Sequence, residues 1–338
     1  MRSELRIDLG ALRRNVATLR RALEGSELWA VVKANAYGHG ALDCGAVALD
    51  AGATALCTAT VAEALALRGT LPLARLIVLG PCSEHERLQA IEAGLELVVT
   101  NGVIPEGVPV HVKLDTGMGR WGTSELPSPT RDVVGVMTHL ATADSDPEFA
   151  RLQVERFREA TATLTGVTKH VANSAGALRL PEARFDAARC GIALYGLSPF
   201  GTDPADDGLE PVLSWRSEVA LVKQLRAGES TGYGRRFVAE RDTWIGVVPV
   251  GYADGFRRDL SGAEVLVDGE RRRVVGTVSM DSVAVELDRA LPAGTDVTIV
   301  GDGVLLEEHA RRAGTITYEL ACGLDRSAER THREVVES

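Results

Sequence analysis

Short apolar runs alternate with helix-period segments through the first two thirds of the chain. The runs are Leu28–Lys33, Ala55–Thr60, Leu76–Gly80, Leu95–Thr100, Val110–Asp115, Val133–Leu140, Lys169–Asn173 and Ala188–Leu194. In Leu95–Thr100, Val110–Asp115 and Val133–Met137 apolar residues fall on both alternations, as in strands buried on both faces. Between the runs the pattern predicts a helix from about Ala41 to Ala51, one through Arg68 and one through Ala93. Ahead of them, Leu12, Val16, Leu19 and Leu23 recur at helical spacing and predict a helix over Arg13–Ala22. Eight strands alternating with helices is the count of a (β/α)8 barrel of the TIM type.

Two connections are too short for that plan. Asn-Gly-Val-Ile-Pro-Glu-Gly fills the gap between Thr100 and Val108, and Pro127 and Pro129 interrupt the segment between Trp121 and Val133. Gly and Pro at this density exclude a full helix. The expected fold is α/β, a barrel with shortened connections after its fourth and fifth strands. Short 3₁₀ turns from Ile104 and Leu126, or another chain, would have to cover the apolar side left open.

The pattern changes near Ser214. Trp215–Leu225, Trp244–Val250, Ala263–Val267, Arg272–Met280, Ser282–Leu287 and Asp296–Val300 read as short strands between Gly, Pro and Asp turns. Asp268-Gly269 is a hairpin signal. A helix from Leu306 to Ala313 interrupts the series, and Ile316–Cys322 follows. Two domains are therefore expected, a barrel over residues 1–213 and a mainly β domain over 214–338. Its tail from Leu324 is charged and without period, and is expected to fray.

Composition narrows the function classes. A net charge of −10 argues against nucleic acid or an anionic membrane as partner. No run reaches membrane-spanning length, and the N-terminus has no signal-peptide core. The five cysteines, Cys44, Cys57, Cys82, Cys190 and Cys322, are single and scattered, which points to reduced thiols in a cytoplasm and to no metal site.

The candidate chemistry sits where the apolar runs end. Lys33 closes the first run and is followed by Ala34-Asn35-Ala36-Tyr37-Gly38-His39-Gly40. A lysine with apolar residues below it and a tight turn above suits a desolvated amine able to form a Schiff base. His111-Val112-Lys113-Leu114-Asp115-Thr116-Gly117-Met118-Gly119-Arg120 closes the fifth run with an arginine whose planar fork suits a carboxylate. His139 ends the sixth. Ser174 at the seventh and Arg189-Cys190-Gly191-Ile192 at the eighth offer a hydroxyl and glycine-flanked amides, the usual place of a barrel phosphate site. Gly251-Tyr252-Ala253-Asp254-Gly255, Ser279-Met280-Asp281 and Thr317-Tyr318-Glu319 stand out in the second domain.

Lys-Ala-Asn-Ala-Tyr-Gly-His-Gly resembles the pyridoxal-phosphate lysine motif of alanine racemases, and the other motifs extend the resemblance from Ile7-Asp8-Leu9 to about Cys322. The resemblance implies a pyridoxal 5'-phosphate enzyme interconverting L- and D-alanine for peptidoglycan, built as a head-to-tail homodimer with shared sites. Lys33 and Tyr252 would be the two bases, and His139 would support Tyr252. Tyr37, Ser174, Gly191, Ile192 and Tyr318 would hold the phosphate. Arg120, Met280 and Asp281 would border the substrate, and Lys113 would be a candidate for carbamylation. Arg189 would face the pyridine nitrogen and, unable to give up its proton, leave that nitrogen unprotonated. The chain departs from the family at Cys190, where proline is usual, and in its tail, where Leu324-Asp325-Arg326-Ser327-Ala328-Glu329-Arg330 keeps arginines without the rest of the pattern. A racemase of broader specificity, a non-catalytic pyridoxal-phosphate carrier and a fold-related decarboxylase are the alternatives. The carrier would lack Tyr252 and its domain.

Overall fold

Strand β1 (Glu4–Asp8) buries Leu5 and Ile7 on one face, the period-two pattern of a half-covered strand. Asp8 then caps the helix Leu9–Leu23, its Oδ1 accepting from the amides of Gly10 at 2.8 Å and Ala11 at 3.1 Å. The buried stripe of that helix is the predicted one, Leu12, Val16, Leu19 and Leu23, although the helix begins earlier than Arg13. The computed structural model describes residues 2–128, 130–324 and 327–338; Pro129, Asp325 and Arg326, named above, lie outside the described residues. The chain divides into two compact units.

One unit, Leu12–Phe200 with Pro204–Glu210, is the barrel. Its strands are β2 (Glu27–Val31), β3 (Ala55–Thr58), β4 (Leu76–Val78), β5 (Glu96–Val99), β6 (Val110–Lys113), β7 (Val133–Met137), β8 (Thr168–His170) and β9 (Ala187–Cys190), closed in sequence order by parallel pairing of β9 with β2. Helices Ala41–Asp50, Val61–Arg68, Glu84–Glu92 and Pro147–Ala160 follow β2, β3, β4 and β7. Thr60 and Ser83 begin two of them with reciprocal capping boxes. As expected, no helix lies between β5 and β6, nor, among the described residues, between β6 and β7. The expected 3₁₀ turns from Ile104 and Leu126 are not formed. Even so, Leu97, Val99, Val110, Val112 and Val136 are all under 9% exposed, so the chain's own irregular segments and neighbouring elements cover these strands. The segment after β6 leaves a cavity of about 860 Å³ walled in part by Leu114, Asp115, Gly122, Leu126 and Arg156.

The other unit runs through Ala11, adds Gly201–Asp203, and resumes from Pro211 to Ser338. Its strands are β10 (Leu213–Glu218), β11 (Leu221–Leu225), β12 (Ser230–Thr231), β13 (Phe237–Val238), β14 (Thr243–Val248), β15 (Glu264–Val267), β16 (Glu270–Val275), β17 (Val283–Leu287), β18 (Asp296–Val300) and β19 (His332–Val336). Nine strands form one sheet in the order β11-β14-β17-β16-β15-β18-β10-β1-β19, and β12 pairs with β13. Asp268 and Gly269, with φ of 54° and 76°, make the predicted tight turn between β15 and β16.

Four expectations for this unit need correction. The run Trp215–Leu225 is two strands, because Val219 and Ala220 turn away to bond Thr295 and Val247. Ile316–Cys322 is not extended: Thr317–Cys322 is a short helix. The end of the tail does not fray, because β19 (His332–Val336) pairs in parallel with β1 from Glu4–His332 to Asp8–Val336. The N-terminal strand pairs with β10 and so joins this sheet, not the barrel. No helix among the described residues is long and apolar enough to cross a membrane.

Candidate active site

Lys33 follows β2 and is half-buried. The next four residues turn the wrong way. Ala34, Asn35, Ala36 and Tyr37 have φ between 50° and 54°, a left-handed helical turn closed by Ala36 N to Val32 O at 2.8 Å and Gly38 N to Ala34 O at 3.1 Å. Each L-residue in this conformation costs about 1–2 kcal/mol, so its surroundings must impose it. Glu63 receives the Ala34 amide at 2.8 Å while its other oxygen takes those of Ala59 and Thr60. Asn35 Oδ1 accepts from Ala41 N at 2.8 Å. Buried His39 donates Nδ1–H to the carbonyls of Ala36 and Tyr37 and stacks on Tyr195, whose hydroxyl donates to Val31 O at 2.7 Å. Lysine, turn and strand end are thus fixed together.

The ends of β8 and β9 meet beside it. Ser174 Oγ accepts from the amides of Gly191 at 3.0 Å and Ala193 at 3.4 Å. A Cβ on Gly191 would run into the Tyr37 hydroxyl and come 2.9 Å from Cζ, so only glycine lets Tyr37 reach this place. Ser174, Gly191, Ile192 and Tyr37 are therefore brought together, all buried.

Arg189 is 4% exposed with no carboxylate in contact among the described residues, and burial lowers its pKa to about 10. Nη1 donates to His170 Nδ1 at 2.8 Å and His170 O at 2.9 Å. Nη2 donates to Thr138 O at 2.8 Å and Val171 O at 3.2 Å, with His139 Nδ1 at 3.5 Å. Nε–H is the donor left without a partner among the described residues. Burial, then the Arg189 charge, holds His139 well below the ordinary histidine range, so it is neutral.

Lys113, 4% exposed at the end of β6, is lowered by burial and by Arg189 and Arg120 to about 8. Its Nζ lies 5.9 Å from the Trp121 ring, and the exposed Arg120 lies 5.4 Å from the same ring. The turn presenting Arg120 is tied by Asp115 Oδ1, which accepts from Gly117, Met118 and Gly119.

The β unit makes a second cluster. Tyr252 N and Ala253 N donate to Ser279 O and Met280 O, both at 3.0 Å. A Cβ on Gly251 would lie 2.5 Å from the Met280 carbonyl carbon, so glycine permits the approach. Fully buried Asp254 accepts from Gly251 N at 2.8 Å and pairs with Arg330 at 2.9 Å and Arg2 at 3.3 Å. Arg330 also bonds Asp281 at 2.8 Å. Arg257 reaches Glu319, beside Tyr318, at 2.6 Å. Tyr252 and Met280 are 42% and 52% exposed.

Residues 7–199 match the family model described as "Alanine racemase, N-terminal domain", and residues 212–332 match "Alanine racemase, C-terminal domain". The chain belongs to the alanine racemase family. It is 38% identical to alanine racemase 1 of Bacillus subtilis over 97% of this chain and 92% of that one. It is 40% identical to the alanine racemase of Levilactobacillus brevis, over 98% of each. The crystal structure of alanine racemase from Streptomyces lavendulae superposes with a TM-score of 0.91 at 35% identity, over 100% of this chain and 98% of the other. Membership makes the protein an isomerase.

For this family member the sequence named the residues at the strand ends but missed those that hold them. Glu63 looks like an ordinary helix-start glutamate, and its capping-box spacing from Thr60 is the sole signal. Gln153, buried on the helix Pro147–Ala160, bonds Ala141 N and His139 O at 2.8 and 3.2 Å. A polar residue within that helix's apolar stripe could have flagged it. Arg330 was marked only as one of the arginines kept in the tail, with nothing to tie it to Asp254 and Asp281.

Proposed function

We propose that the protein interconverts L- and D-alanine with pyridoxal 5'-phosphate, providing D-alanine for peptidoglycan in the cytoplasm. The observation that carries this reading is Arg189, a buried arginine with four N–H donors committed and Nε–H left over, beside a cradle of Ser174, Gly191, Ile192 and Tyr37. That donor fits a ring nitrogen, the cradle fits a phosphate, and Lys33 fits the carbonyl carbon. The bound cofactor would supply an electron sink that makes the substrate α-proton removable.

The chain's own residues would do the rest. Lys33 holds the cofactor and moves the proton on one face, and Tyr252 moves it on the other. His139 supports the tyrosine. Arg120 orients the substrate carboxylate, while Met280 and Asp281 border the substrate and Tyr318 reaches the phosphate. Lys113, near pKa 8, has enough neutral amine for carbamylation and would then brace Arg120 as an anion. In this reading the barrel keeps the cofactor, and the β unit supplies Tyr252 to the site of a second copy in a head-to-tail homodimer.

Borohydride reduction followed by peptide mapping should place the cofactor on Lys33; a label elsewhere removes the assignment. α-Deuterium exchange with L- and D-alanine, then with serine, lysine and arginine, should show exchange with alanine above all. Mixed Lys33→Ala and Tyr252→Phe subunits should regain activity, and failure after proven exchange would place both bases on one chain.

A further inference from the structure

The barrel interior holds a line of polar side chains that none of these roles uses. Arg75 grips both oxygens of Glu96 at 2.7 and 3.0 Å, with Glu27 3.6 Å from the same guanidinium. Glu96 Oε2 meets His111 Nε2 at 2.7 Å, His111 Nδ1 meets His170 Nε2 at 2.9 Å, and His170 Nδ1 meets Arg189 Nη1 at 2.8 Å. Both imidazoles are fully buried. Trp29 packs on them, with ring centroids at 5.5 and 4.5 Å. Glu96 opens β5, so the line runs from the N-terminal end of the strands up to Arg189.

Donor chemistry fixes every proton on it. A guanidinium only donates, so His170 Nδ1 accepts. A neutral His170 then carries its proton on Nε2 and donates to His111 Nδ1. The His111 proton is thereby left on Nε2, aimed at a carboxylate that only accepts. Burial keeps both rings neutral. Burial alone would raise Glu96, but the bonds from His111 and Arg75 outweigh it and hold the group to about 2. Moving the proton to the other nitrogen of either ring alone would set donor against donor.

We propose that Glu96 is a positioning residue for Arg189, its charge acting through the fixed tautomers of His111 and His170 to set which guanidinium edge is occupied and leave Nε–H for the ligand. The identity of that ligand rests on the functional reading above; the line itself does not. The test is ¹⁵N-histidine NMR of the holoenzyme, assigned by single histidine substitutions. Both rings should be neutral with the proton on Nε2, unchanged between about pH 6 and 9. In Glu96→Gln the single-tautomer pattern should be lost and kcat should fall about tenfold in both directions, with KM within about twofold and partial rescue by Glu96→Asp. A wild-type ring protonated on Nδ1 or cationic overturns the proposal, as does a Glu96→Gln enzyme with unchanged kcat. If that variant does not fold, the wild-type spectrum alone decides. Correct tautomers in a protein that does not racemise alanine would overturn the functional reading and leave the line standing; racemisation with the wrong tautomers would do the reverse.

Discussion

Gly135 tests how tightly the inner line is packed. Its φ lies outside the left-handed region, so alanine is allowed by the backbone. The obstacle is space: a Cβ there would collide with His111 Nδ1, lying 2.6 Å from Cε1 and 3.0 Å from Thr168 O. Comfortable carbon contacts need about 3.5–4 Å, so the ring must move by roughly an ångström. It cannot do so freely, since both nitrogens are bonded and Trp29 stands against it. Overpacking costs about 1–3 kcal/mol, and a broken buried hydrogen bond about 1–3 kcal/mol more. Gly135→Ala should therefore destabilise by about 2–6 kcal/mol, a large share of ordinary stability. His111→Ala removes the nearer obstacle and leaves the 3.0 Å approach to Thr168 O, so adding Gly135→Ala to it should cost much less than Gly135→Ala costs alone. Denaturant midpoints of the four holoenzymes give the coupling, expected at about 2 kcal/mol or more. Additivity within about 0.5 kcal/mol would refute the packing argument.

Three further outcomes are expected. His111 and His170 have folded pKa values below their unfolded ones, so they favour folding above about pH 6.5 and this is lost as pH falls. Below pH 6.5 the pair should cost up to about 2.7 kcal/mol per pH unit, and urea midpoints that stay flat from about pH 7 to 5 would contradict it. Tyr195→Phe leaves the buried Val31 carbonyl without its donor and should cost about 1–3 kcal/mol, with amide exchange rising in Val32–Gly38. Arg330→Ala should loosen the Tyr252 and Asp281 loops together, read as faster amide exchange at Gly251–Ala253, while barrel amides stay unchanged.

The barrel was legible because each strand is an apolar run and each chemical group follows one. Even the two missing helices could be read, since Gly and Pro density is a local property. What escaped depended on partners far away in sequence. The tail segment His-Arg-Glu-Val-Val has no period of its own and becomes a strand only against β1. Thr317–Cys322 looks extended because a helix this short has too few turns to show its period. Glu96 is the one charged residue of the run Leu95–Thr100, and nothing local shows what it bonds. The one hint was His111, a polar residue between Val110 and Val112, whose partners Glu96 and His170 come from other strands.

The left-handed turn after Lys33 is the mirror image of an ordinary helical turn, so its residues are in the comfortable conformation of their own enantiomers. A chain assembled by ligation with D-alanine at position 34 or 36 would relax there by about 1–2 kcal/mol per residue instead of straining. The same inversion reverses the usual rule for engineering: glycine at the exposed Ala34 would add stability, and a β-branched residue would be the most damaging choice. The stretch nearest the chemistry is thus the place where handedness, more than size or polarity, limits what the chain can accept.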